Sequence, residues 1–110
     1  MDAKKKQEVR QEFLHLVNLS PAELEKWLAT DRSKAAGQHS SDGESTGHAS
    51  GRRIVELLRQ KEDQLSDDDY EHMQKVNGFI HRHLAQRPTG EIEDSRWRQS
   101  LMNWGHDPLT

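Results

Sequence analysis

GESTGHASGRRIVELLR, residues Gly43 to Arg59, is the stretch on which the reading of this chain turns. Three glycines and three hydroxyl residues run directly into a helix that opens with two arginines. Ser50 is placed to cap that helix, which the spacing predicts over about Gly51 to Lys61. Ile54, Leu57 and Leu58 share its inward face, with Val55 at the edge of the stripe. A loop of small residues that empties into a helix start leaves several backbone N–H groups unpaired. The helix dipole adds partial positive charge there, and Arg52 and Arg53 add two full charges. Such a turn suits an anion: a phosphate, a nucleic-acid backbone or a carboxylate. The plain alternative is a flexible linker ending in a capped helix whose arginines are solvated.

The rest of the chain is also helical in pattern. Residues 2–18 place Val9, Phe13, Leu16 and Val17 on one face. Ser20, Pro21 and Glu23 form a helix start with N-cap, first-turn proline and capping-box acid, followed by the stripe Leu24, Trp27 and Leu28. Ser33 to Ser50 carries only alanine as an apolar residue and reads as a long flexible Gly/Ser/His loop between the second and third helices. Ser66 followed by Asp67, Asp68 and Asp69 opens the fourth helix, with Met73, Val76, Ile80 and Leu84 inward and Phe79 beside them. A last helix from Asp94 or Ser95 to Trp104 carries Trp97, Leu101 and Trp104 on one face. Gly105 is placed for a left-handed C′ residue, and Pro108 prevents continuation. The expectation is one all-α domain over 1–110, a bundle of about five helices, with helices one, two, four and five around the third.

Composition bounds what this bundle can be. Hydrophobic residues make up 31% of the chain and charged residues 32%, against about 45–50% apolar and about 25% charged in ordinary globular chains. A thin core is therefore expected. There is no cysteine, which excludes disulfides and thiolate chemistry. No apolar run approaches the roughly 18 residues of a membrane span, and Lys4, Lys5 and Lys6 are not followed by an apolar segment of signal-peptide type. A cytoplasmic location, with nucleoid or nucleus as variants, is the expectation.

The seven histidines set no metal-ligand rhythm. His81 and His83 lie about 200° apart on a helix and cannot share one ion. No H-x-x-x-H or H-E-x-x-H occurs, so no metal and no cofactor is expected. Asp67 to Asp69 are explained by helix capping. Ser45, Thr46 and Ser50 lack a surrounding Ser/His/Asp motif, so an enzyme is not expected. The loop lacks the G-x-x-x-x-G-K-[ST] pattern of a nucleotide-binding P-loop. Seven of nine arginines lie in the second half. Arg52, Arg53 and Arg59 point away from the third helix's apolar face. Arg82 and His83 on the fourth helix, Arg87 at its end, and Arg96 and Arg98 on the last can converge with them. With Ser50 and Gly51 these arginines form the candidate anion or nucleic-acid site. The net charge of −3 opposes strong binding to nucleic acid. Trp27, Trp97 and Trp104 sit at core spacing rather than as stacking platforms.

Four segments, LSPAELEKWL, GHASGRRIVELLR, DDDYEHMQKVNGFIHRHLAQRP and DSRWRQSLMNWGHDP, together resemble the bacterial and fungal family called domain of unknown function 3140. The resemblance runs from about Asn18 to Pro108. It implies no activity and no catalytic residue, although some members of that family carry a DNA-binding label. Two functions are therefore expected. One is a non-enzymatic module that binds DNA through backbone phosphates at the glycine-rich loop and the third helix. The other is a protein-interaction or stress-associated module whose 33–50 loop orders on a partner.

Overall fold

Serine, threonine and aspartate decide where each helix begins. The computed structural model describes residues 1–36 and 44–110. Among them are six α-helices: α1 (Ala3–Leu16), α2 (Pro21–Leu28), α3 (Asp31–Ala35), α4 (Thr46–Arg59), α5 (Asp67–Leu84) and α6 (Arg96–Asn103). A short 3-10 turn covers Glu62–Gln64, and no strand occurs among the described residues. Asp2, Ser20, Thr30, Ser45, Ser66 and Ser95 each accept a hydrogen bond from the amide three residues on. Each cap thereby satisfies an amide that the helix cannot satisfy itself. Ser20 with Glu23 and Ser66 with Asp69 complete reciprocal capping boxes.

The all-α expectation holds, with three corrections. The cap of α4 is Ser45 and not Ser50. Ser50 and Gly51 lie inside the helix and are buried, so they form no loop-to-helix cradle. The expected 33–50 loop is also shorter at both ends, because Ser33 belongs to α3 and Thr46 to Ser50 belong to α4. The remainder of that loop, 37–43, lies outside the described residues.

The third correction concerns the centre. α1 packs along α5, and α2 packs along α4. α4 and α5 share few close backbone contacts and meet through side chains, Arg53 with Asp68 and Asp69 and Ser50 with His72. The short α6 touches α2, α3, α4 and α5, and so bridges the two pairs in the place expected for the third predicted helix. One core runs through both pairs, with Phe13, Leu24, Ile54, Met73, Val76, Ile80 and Leu101 at 1% exposure or less.

Glycine lets α6 approach. A Cβ on Gly51 would lie 2.5 Å from the carbonyl oxygen of Asn103 and 2.7 Å from Leu28 Cδ2. Asn103 itself is 1% exposed and fully bonded. Its Oδ1 accepts from Trp27 Nε1 at 2.8 Å and from Ser33 Oγ at 2.5 Å, and its Nδ2 donates to the Ser33 carbonyl at 3.0 Å. One side chain thus ties α2, α3 and α6.

α6 ends in a Schellman motif. Gly105 N–H donates to Met102 O and His106 N–H to Leu101 O, with Gly105 at φ +84°. The released segment clasps the α1–α2 junction. Gly105 O accepts from the amides of Asn18 and Leu19, His106 Nδ1 donates to Leu16 O at 2.6 Å, and Asn18 and Asp107 exchange two hydrogen bonds. Arg98 closes the clasp with a two-pronged contact to Asp107, at 3.1 and 3.0 Å. Much of the N-W-G-H-D sequence is therefore used by the fold. No described helix is long and apolar enough to cross a membrane.

Candidate ligand groove between α4, α5 and α6

The arginines singled out from sequence separate into two groups. Four are held by carboxylates of the same chain. Arg52 forms a two-pronged contact with Glu44 at 2.9 and 2.6 Å. Arg53 reaches across to the start of α5, 2.9 Å from Asp68 and 3.4 Å from Asp69. Arg59 pairs with Glu25, and Arg98 with Asp107. The positive turn expected at the start of α4 is thus neutralised by its own neighbours. Arg52 with His48 holds the Glu44 carboxyl down to about 2, far below the usual range.

His48, buried at the start of α4, meets Glu44 Oε2 at 2.6 Å through Nδ1 and Leu28 O at 2.7 Å through Nε2. Both partners are acceptors, so both contacts are hydrogen bonds only when the ring carries two protons. Ser50 is no anion ligand: its hydroxyl meets His72 Nε2 at 3.1 Å. Burial, with Arg53 and Lys75 nearby, pushes the His72 imidazole down to about 4. It is therefore neutral at pH 7 and can accept from Ser50.

The second group comprises Arg82, Arg87 and Arg96, all exposed, with no carboxylate in ion-pair reach among the described residues. Lys75 belongs with them, although sequence reasoning did not single it out. Lys75 and Arg82 line a groove of about 400 Å³ together with Thr46, Gly47, Phe79 and Trp104. His83 and Ser100 complete its wall. The groove exists because α4 and α5 diverge around α6. A second cleft of about 420 Å³ continues it past Lys75 toward Ser50, Arg53 and His72.

The groove floor is a ladder of near-parallel rings. Trp104 stacks on Phe79 with centroids 4.2 Å apart, Phe79 on His83 at 5.0 Å, and His83 faces Trp97 at 6.4 Å. The Arg87 guanidinium lies 5.8 Å from the Trp97 ring centre and ends the ladder. Trp97 and Trp104 are buried at 9% and 4% exposure, so the tryptophans serve the core, as their spacing suggests, and offer no open stacking face.

Two polar atoms at this groove stand out. Trp27 and Trp97 donate their indole N–H groups to Asn103 Oδ1 and His83 O. Trp104 Nε1 has no acceptor among the described residues, and a Cβ on Gly47 would lie only 3.0 Å from it. His83 Nε2 is buried and likewise without a partner. Lys75, Phe79 and Arg82 recur at i, i+4 and i+7, one face of a helix adjacent to its core stripe. That recurrence was the available signal for this wall. No group of metal-binding side chains occurs among the described residues.

Fold and groove define a small all-helical protein with a cation-lined cleft. No curated protein and no solved structure matches the chain. A family model described as a protein of unknown function, DUF3140, matches residues 12–102, and the chain belongs to that family.

Proposed function

We propose that this chain is a non-enzymatic helical module that binds nucleic acid through backbone phosphates. Its contact surface is the α5–α6 face, carried by Lys75, Arg82, Arg87 and Arg96 rather than by the start of α4. The observation that supports this reading is the division of the arginines, since unpaired cations remain on this face while Arg52, Arg53, Arg59 and Arg98 are occupied. Free guanidinium and ammonium groups release counterions when phosphates replace solvent. A location in the cytoplasm, nucleoid or nucleus goes with this reading.

Fluorescence anisotropy with a short labelled duplex, read at rising salt, tests it. Binding is expected at low salt and to weaken steeply as salt rises. Lys75→Glu with Arg82→Glu abolishes it, whereas Arg52→Ala with Arg53→Ala leaves it in place. Absence of binding at low salt overturns the reading. Loss of binding in the Arg52/Arg53 variant, with helicity intact, overturns the choice of surface.

The net charge of −3 favours a competing reading, a protein-interaction module whose contact is carried by the segment between α3 and α4. A pull-down with residues 37–43 deleted, which spares α3 and the Ser45 cap, checks it. Retention of every captured partner removes that segment from recognition.

A further inference from the structure

We propose that the groove walled by Gly47, Lys75, Arg82, Ser100 and Trp104 is a discrete site for one phosphomonoester group carried on a ring or another apolar body. The proposal shares its face with the nucleic-acid reading and rests on it only where the ligand is the end of a strand.

Four groups along one wall lack partners, and they are of complementary kinds. The Trp104 indole N–H has no acceptor among the described residues and remains accessible at the groove, although the residue as a whole is 4% exposed. Lys75 and Arg82 are donors with full charge and no carboxylate among the described residues. His83 Nε2 is buried and unsatisfied. Buried polar atoms are rarely left unpaired, and one such as His83 Nε2 costs about 1–3 kcal/mol of desolvation. The hydroxyls of Thr46 and Ser100 can donate as well. No carboxylate among the described residues lines this groove, so a ligand with acceptor oxygens and negative charge complements it.

A phosphomonoester brings three terminal oxygens and a charge near −2 at neutral pH. An internal phosphodiester offers two such oxygens and must lead two substituents out. The groove, about 400 Å³, is larger than a phosphate group needs. Phe79 and Trp104 make the remaining wall apolar. Gly47 keeps the indole N–H reachable, because any side chain there would crowd Nε1.

The tryptophans supply the readout. Trp27 and Trp97 have occupied indole donors, so only the Trp104 indole cross-peak in a 15N–1H spectrum of the full chain should respond to an acceptor. The probes are inorganic phosphate, phenyl phosphate and matched oligonucleotides with a 5′-phosphate or a 5′-hydroxyl. Phenyl phosphate is expected to shift the Trp104 peak saturably and to bind more tightly than inorganic phosphate. Lys75→Ala with Arg82→Ala weakens that binding by about tenfold or more while the Trp27 peak stays in place. A response to phenyl phosphate with no binding of either oligonucleotide identifies a free small phosphorylated ligand, keeps the proposal and removes the nucleic-acid reading. A response to the 5′-phosphorylated strand alone among the oligonucleotides identifies a strand end. A Trp104 peak unmoved by both phosphates overturns the proposal. If both oligonucleotides bind in that case, the nucleic-acid reading survives without it.

Discussion

Leucine at position 103 would match asparagine closely in size and leave Trp27 Nε1 and the Ser33 hydroxyl and carbonyl without their partner. Asn103→Leu is expected to cost about 2–4 kcal/mol in urea unfolding, most of it from groups left buried and unbonded. Glu44 and His72 also contribute to an acid response, beside His83 and the paired aspartates. The Glu44 carboxyl sits at about 2 in the fold, below its ordinary 4.5, so its contribution is complete above about 4.5 and is lost as pH falls toward 2. His72 sits at about 4 instead of 6.5, so folding favours its neutral form and stability drops as pH falls from about 6.5 to 4. Thermal melts across pH 7 to 4 should show that early loss, and His72→Gln should reduce it to the part that the buried His83 contributes. Glu44→Gln should leave that interval alone and flatten the one below.

At the scale of the element, two glycines in helices predict opposite outcomes for the same substitution. Alanine at mid-helix gains about 1 kcal/mol over glycine from chain entropy alone. At Gly78 the new methyl group meets only the end of the Arg82 side chain, at 3.3 Å, so Gly78→Ala should raise stability by about 0.5–1 kcal/mol. At Gly51 it meets backbone and Leu28 below 3 Å, so Gly51→Ala should lower stability by about 2 kcal/mol or more as α6 is pushed off α4. Chemical denaturation of the pair provides the check. The contrast also marks what the sequence could say about its own elements. Ser20, Ser66 and Gly105 were legible because their partners lie within a few residues. Ser45 and Ser50 both precede plausible helices. The choice of Ser45 depends on α4 keeping Gly47 and Gly51 as gaps for Trp104 and Asn103, which are more than fifty residues away in the chain. The same distance hid the groove. Arg53 looked free because its partners, Asp68 and Asp69, were already explained as the first turn of α5.

On the scale of the whole molecule, α1 with α5 and α2 with α4 are two helix pairs that share α6 and the segment after it. Opening either pair therefore exposes a face of α6. The amides of Leu101 and Met102 are expected to exchange with solvent only through global unfolding, and those of the five-residue α3 through smaller local openings. Hydrogen exchange read by NMR at several denaturant concentrations distinguishes the two. Exchange of α6 well ahead of the core amides of α5 would show that the pairs hold together without it.

Trp104 has a bearing on selectivity as well. Its ring stands against Phe79 on one side and Gly47 on the other, and so acts as a spacer between two walls, α5 and the first turn of α4. Cutting it back to alanine should let those walls relax inward and narrow the mouth of the cleft. The width of the cleft is thus gauged by one indole ring.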